Sequence, residues 1–416
     1  MVPLASTNVM CHTAGDNHSQ ATTISLLPGN VLLEIFCFYK ENDESESYDA
    51  RQRPRQYLLA WNWHLLVHIC RSWRRFVFSS PLRLGLQIVC TPRTPVGKNL
   101  GIWPALPIFI DCHYYFNQRN GNIASSSKDN IIAALEHVDR VRDVRLAVTR
   151  SELEKITTVM QEPFPVLTSL SIIVSDDGNA AVLPAEFLGG SAPCLKIIHL
   201  IGIPFPALPT LLLSTSDLVD LDLHNIPPNG YISPEAMVVG LSALPRLGLF
   251  IIQFRSATPH PNPMRPPPVT RTVLPALTFF LFQGASEYLE DLVSRIDAPQ
   301  LNRIYICYLN QLTDFRVPQL PMFIDRSVGS KLNRFQYAQV CFYSRRVTFR
   351  TYGYANNPHP EQLDVITNVF CEGIDWQFSH MAQVLSHFSA TLPNIVHLKV
   401  EVQLEEDHQL EGTDDV

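Results

Sequence analysis

From about Val138 onward the apolar residues of this chain recur in one phrase: apolar, two others, apolar, one other, apolar. Copies stand at Val141/Val144/Leu146, Leu167/Leu170/Ile172, Leu195/Ile198/Leu200 and Leu218/Leu221/Leu223. Others follow at Leu247/Phe250/Ile252, Leu277/Phe280/Phe282, Leu301/Ile304/Ile306, Leu332/Phe335/Tyr337 and Ile395/Leu398/Val400. First positions lie 26, 28, 23, 29, 30, 24 and 31 residues apart, then 63, a double step with room for a degenerate copy near Leu363 and Ile366. Alternate apolar positions predict a short strand with one buried face, and the rest of each unit predicts a return segment. Returns at 151–156, 233–237, 286–290 and 380–385 read as helical, and Ser233 before Pro234 supplies a cap and a ring-fixed first turn. Pro165, Pro193, Pro245, Pro275, Pro299 and Pro393 stand just before strands and force a break there. One unit cannot bury its own face; parallel stacking of units can. The pattern predicts an α/β solenoid of parallel strands with helical or loop returns over 138–404. A doubly wound sheet is the competing architecture, but several spacings fall below its usual ~30 residues and its glycine-rich first turn is absent.

Upstream the period changes. Residues 1–23 are polar and aperiodic and predict a disordered tail. Over 24–86 the pattern is helical. Pro28 stands at a helix start, and Val31, Leu32, Ile35 and Phe36 share one stripe. Leu66, Ile69, Cys70, Trp73, Phe76 and Val77 form the apolar face of a second helix, with Arg71, Arg74 and Arg75 opposite. The intervening ENDESESYDARQRPRQ is too polar for a core and reads as an exposed insert. The two helices bury too little to be stable alone, so the rest of the chain or a partner must cover them. Residues 87–137 read as a linker or cap, and 405–416 as an acidic, solubilising tail.

Leu27-Pro28, the Val31-Leu32-Leu33-Glu34-Ile35-Phe36 helix and the Cys70-Arg71-Ser72-Trp73 helix together resemble an F-box. That small helical module docks onto a Skp-type adaptor and, through it, a cullin ubiquitin ligase. The resemblance covers 24–86 and implies an adaptor-binding set of Leu27, Pro28, Val31, Leu32, Ile35, Cys70 and Trp73. It departs from the family in the insert from Lys40 to about Leu59, longer than the usual spacer. The repeat resembles an irregular leucine-rich array, without the family's asparagine ladder: that place holds Ile203, Ile226, Ala285 or Leu309. The order of the two resembles the fungal F-box-like proteins. It implies a non-catalytic substrate receptor of a cullin-type ligase, with a target protein held on the array. The alternatives are an interaction scaffold of the same fold without a ligase role, and an enzyme with a site built on an α/β sheet.

Composition narrows the field. With 46% hydrophobic and 17% charged residues the chain is not wholly disordered, and 32 prolines in 416 residues argue against long helices. A net charge of −7 offers no basic field for nucleic acid. Neither a signal peptide nor an apolar run of about 18 residues is present, which predicts an intracellular protein, cytoplasmic or nuclear, with no membrane partner. Nine scattered cysteines without a C-x-x-C pair predict reduced thiols rather than disulfides or a zinc ribbon. Nucleophile-elbow, P-loop and H-E-x-x-H patterns are absent, so no catalytic residue, cofactor or metal ligand is expected. His199 and His224, at or just beyond strands, read as lone surface or hydrogen-bonded residues. Asp176-Asp177-Gly178-Asn179 reads as a turn, and the proline run 261–268 as an excursion between repeats.

Overall fold

Strands carrying the repeated triplet lie side by side, like positions opposite like, in a computed structural model of the chain. The described residues are 27–44, 63–81, 83–92, 96, 100–101, 105–112, 125–174, 182–257, 270–309, 317–328, 337–352, 364–370, 374–388 and 395–403. The two tails, residues 45–59 of the insert, the 176–179 turn, the proline run, and Leu332, Phe335, Leu363 and Pro393 lie outside them. The chain divides into two compact units, Met1–Leu86 and Gln87–Val416.

In the first unit α1 (Gly29–Glu44) follows directly on Pro28, whose carbonyl accepts from the Val31 and Leu32 amides at 2.9 and 3.1 Å. Leu32, Leu33 and Phe36 of α1 are buried, as are Val67 of α2 (Trp63–Ile69) and Val77 of α3 (Arg71–Ser79). The Phe36 ring packs on Trp73 with centroids 4.8 Å apart. The sequence spacing predicts one helix carrying Leu66 to Val77; the structure breaks it at Cys70, whose backbone is extended. The Cys70 Sγ accepts from the Trp73 amide at 3.5 Å and so caps α3. Arg74 Nε crosses the break to donate to the Val67 carbonyl at 2.9 Å. Helices of 7 and 9 residues are marginal in isolation, so packing against α1 sustains them.

The second unit has strands β1 (Ile88–Cys90), β2 (Ile108–Asp111), β3 (Val141–Val148), β4 (Ser169–Val174), β5 (Ile197–Ile201), β6 (Asp220–Ile226), β7 (Leu249–Phe254) and β8 (Thr272–Val273). They continue with β9 (Phe279–Gly284), β10 (Ile296–Asp297), β11 (Arg303–Leu309), β12 (Tyr337–Phe342), β13 (Arg346–Tyr352), β14 (Asp364–Phe370) and β15 (His397–Val402). Its helices are α4 (Ser125–Leu135), α5 (Arg150–Val159), α6 (Leu208–Leu212), α7 (Pro234–Leu241), α8 (Ser286–Ser294), α9 (Gln319–Val328) and α10 (Ile374–Phe388). Among the described residues, thirteen strands form one sheet in the order β1-β2-β3-β4-β5-β6-β7-β9-β11-β14-β13-β12-β15, while β8 and β10 pair separately. Every neighbour in the large sheet is parallel except β13, which is antiparallel to β12 and β14. The fold is mixed α/β with a large, mostly parallel sheet.

Register shows why the phrase recurs. Leu170, Ile198, Leu221, Phe250, Phe280 and Ile304 are direct partners across six strands, and so are Ile172, Leu200, Leu223, Ile252, Phe282 and Ile306. All seven triplets from Val141 to Ile306 are buried. From Leu167 to Leu301 the first apolar residue of a triplet precedes the strand, whereas Val141 opens β3. Leu167, Leu195, Leu247, Leu277 and Leu301 each donate an amide to the residue three before them, at 3.1 to 3.3 Å. Pro165, Pro193, Pro245, Pro275 and Pro299 occupy the second position of those turns, where their fixed φ is already correct. The place of the missing asparagine is filled by burial of Ile203, Ile226 and Ala285.

Four helical returns fall where the pattern puts them, in α5, α7, α8 and α10. Ser233 Oγ caps α7 by accepting from the Ala236 amide at 3.2 Å. The sheet starts earlier than the repeat, because 87–137 contains β1, β2 and α4. It also departs from chain order after β11. Only residues 343–345 join β12 to β13, too few for the dozen or so that a parallel crossover needs, so the chain reverses into a hairpin. β14, where the degenerate copy was expected around Ile366, then returns beside β11. Strand β15 is an edge, and its Leu398 and Val400 are exposed rather than buried. No helix among the described residues is long and apolar enough to cross a membrane.

Two outcomes test this packing. Phe280 is fully buried and stacks on Phe250 at 5.5 Å, so Phe280→Ala is expected to cost about 3–5 kcal/mol in denaturant unfolding. Glu290 caps α9, accepting from the Gln319 and Leu320 amides at 2.6 and 3.0 Å. Burial pushes its carboxyl up to about 7, against the pull of those two amides. The folded chain thus holds this proton more tightly than the unfolded chain, where a Glu titrates near 4.3. Its contribution is complete below about pH 4 and is lost as pH rises through 7. Glu290→Gln is expected to flatten that slope, by on the order of 1 kcal/mol between pH 5 and pH 8, in denaturation midpoints.

Candidate functional site

Helix α1 has two apolar faces. At about 100° per residue, Val31, Ile35 and Phe38 lie within one narrow stripe, roughly 140° round from Leu32, Leu33 and Phe36. The second set is the unit's core; the first is exposed, Ile35 to 46% and Phe38 to 64%. Leu27, two residues before the helix, is exposed as well. Leu65 and Ile69 of α2 are exposed too, Ile69 because the break at Cys70 turns it out of the core. Apolar side chains left in water on a small helical unit make this a candidate contact surface.

The residues carried over from the F-box pattern separate accordingly. Val31 and Ile35 lie on the exposed stripe, and Leu27, Pro28 and Cys70 are also exposed. Leu32 is in the unit's own core, only 2% exposed, and half-buried Trp73 packs on Phe36. Cys70 and Pro28 serve helix starts as well. Phe38, Leu65 and Ile69 are exposed too and were not among the expected residues. For Phe38 the signal was present, since 31, 35 and 38 share one helical stripe. The three arginines of α3 are all exposed, and Arg74 also ties α2 to α3.

A second group lies on the sheet. Along each strand the triplets take one face, and the alternate residues take the other, which is half-buried and partly polar. In one cross-strand row on that face Ser171, His199 and Asp222 are direct register partners. His224 follows Asp222 by two residues, on the same face, next to a bulge where the register with β7 shifts between Leu223 and Ile226. Asn225 in the bulge has φ +51, a left-handed conformation that asparagine tolerates better than most residues. Gly202, at φ +72, donates its amide to the His224 carbonyl at 2.9 Å.

These strands bring two imidazoles to one carboxylate. His224 Nε2 stands 2.6 Å from Asp222 Oδ1, and His199 Nε2 stands 3.6 Å from Asp222 Oδ2. The outer nitrogens are engaged as well: His224 Nδ1–H donates to Gln253 Oε1, and His199 Nδ1 lies 3.3 Å from Ser171 Oγ. Burial pulls the His224 imidazolium down, but Asp222 and Gln253 outweigh it, so its pKa lies above the ordinary histidine value. Read in sequence, each histidine is alone; parallel register is what joins residues 23 and more positions apart.

If the two faces of α1 differ as described, Ile35→Asp leaves the thermal unfolding of the isolated chain within about 0.5 kcal/mol of the parent. Leu32→Asp, by contrast, buries an unpaired charge and is expected to unfold the first unit, read by loss of near-ultraviolet circular dichroism from the Trp73 environment. The chain matches no family model and no curated protein.

Proposed function

We propose that the chain is a substrate-recognition subunit of a Skp/cullin/F-box-type ubiquitin ligase. On this reading the first unit is an F-box-like module, and the second an irregular leucine-rich solenoid that carries the target. One observation supports it most: the helix resembling the F-box keeps Leu32 and Phe36 for its own core while leaving Leu27, Val31, Ile35 and Phe38 uncovered. A partner groove that takes such an amphipathic face gains about 1.5–3 kcal/mol for each large apolar side chain it covers completely. A unit with so small a core of its own gains stability from that coverage by mass action.

The parallel ladder supports the second half of the reading. Repeated units in register cover one strand face with return segments and leave the other as an extended surface. That surface binds by area and shape, with ubiquitin transfer left to the other subunits of the ligase. The partners on this reading are a Skp-type adaptor, a cullin reached through it, and one target protein; the site is an intracellular one.

The experiment is co-purification of the full chain with a purified Skp-type adaptor. A stoichiometric complex is expected, weakened at least about tenfold by Ile35→Asp or Val31→Asp with circular dichroism unchanged, since each removes ~1.4 kcal/mol or more of apolar contact. A folded chain that does not retain the adaptor overturns the ligase reading and leaves a scaffold of the same architecture.

A further inference from the structure

The cluster on the open sheet face carries a second inference, independent of the adaptor reading. His199, Asp222 and His224 each offer one ligand atom, and these atoms all lie within 4.8 Å of one another. We propose that they bind one divalent transition-metal cation of the zinc class through His199 Nε2, His224 Nε2 and an Asp222 carboxylate oxygen.

The hydrogen bonds at the outer nitrogens set the stage. Gln253 Oε1 can only accept, so it holds the proton of His224 on Nδ1 and leaves the Nε2 lone pair of the neutral ring aimed at Asp222. A lone pair and a carboxylate oxygen 2.6 Å apart repel unless a positive centre lies between them. A proton is the simplest such centre, and Asp222 favours one on His224, though Oδ1 lies off the direction of a well-aligned donor. A metal ion needs no N–H direction, only convergent lone pairs. Gln253 on His224 and Ser171 on His199 occupy the position where metal-binding imidazoles usually find a hydrogen-bond partner that fixes the tautomer.

Distances agree with a small borderline cation. Ligand bonds near 2.0–2.1 Å in tetrahedral geometry place donor atoms about 3.3 Å apart. The two imidazole–carboxylate separations, 2.6 Å to Oδ1 and 3.6 Å to Oδ2, lie on either side of that value, and the whole donor set lies within 4.8 Å. Two imidazoles and one carboxylate favour zinc, nickel, copper or iron over calcium and magnesium, which take oxygen ligands. Three protein ligands leave a fourth position, and the side chains are 21–31% exposed, so that position is open to water or to a donor from a bound molecule. The two-residue period of β6, in unbroken register with β5, puts His224 and Asp222 on one face.

The test uses the full chain, stripped by dialysis against a chelator and titrated with zinc ion alone against a chromophoric competitor. One equivalent is expected to bind at this site. Cobalt loading is expected to give the visible bands of a low-symmetry site with nitrogen and oxygen donors. His199→Gln, Asp222→Asn and His224→Gln keep size and polarity and are each expected to weaken binding about tenfold or more, and Gln253→Leu somewhat less. Cys194→Ser and Cys70→Ser, which remove exposed thiols, are expected to leave it unchanged. Binding that survives all three ligand substitutions in folded protein, or disappears with either cysteine, overturns the assignment, as does a parent chain that takes up no metal.

Discussion

The constraint on which the rest depends is one-sided burial in a parallel ladder. A parallel strand pair needs a long return, and every return must come back over the sheet to start the next strand. One strand face is the more deeply buried. In this chain it is filled by the triplets, whose members meet their own counterparts on the next strand, as Phe250 meets Phe280 and Leu221 meets Phe250. Helix residues complete the layer; Phe323 of α9 packs edge-on against Phe280, with centroids 6.3 Å apart. Ion pairs tie different returns together, Arg295 with Glu235 and Arg326 with Asp297, and Asp291 holds Arg295 from within its own helix.

The same one-sidedness generates both candidate surfaces. On the sheet it leaves a half-buried face on which residues from different repeats become neighbours by register alone, and the histidine–aspartate group is one product. Another is the Tyr305–Asn368–Thr348 chain of hydrogen bonds, joining β11, β14 and β13. On α1 it takes a helical form: one stripe enters the small core and a second is left in water. Neither surface requires unusual backbone chemistry. Each exists because its own unit stops covering apolar or polar groups before they run out.

Legibility in the sequence followed range of interaction. The triplets from Val141 to Ile306, the proline turns and the Ser233 cap were readable because each depends on residues a few positions apart. The hairpin of β12 and β13 was missed because Arg346–Tyr352 alternates without the leucine phrase, so a search for the phrase passes over it. β1 and β2 are strands of three and four residues, too short to show a period. The break at Cys70 escaped because a cysteine is an unusual cap and the apolar spacing runs on through it. On α1 the candidate residues were legible as a group, but spacing could not divide Val31 from Leu32, since one lies outward and the other inward only once Trp73 has taken its place on Phe36. His199, Asp222 and His224 were illegible as a set for the opposite reason: what joins them is which strand pairs with which.

The central claim is that the exposed stripe of α1 is a face awaiting a partner subunit. Amide hydrogen exchange of the full chain, with and without a purified Skp-type adaptor, reads it directly. The account predicts new protection confined to peptides from 27–44 and 63–79, with the strands of the second unit exchanging as before. Protection confined to 87–403, or none anywhere at adaptor concentrations that saturate known partners, would contradict it.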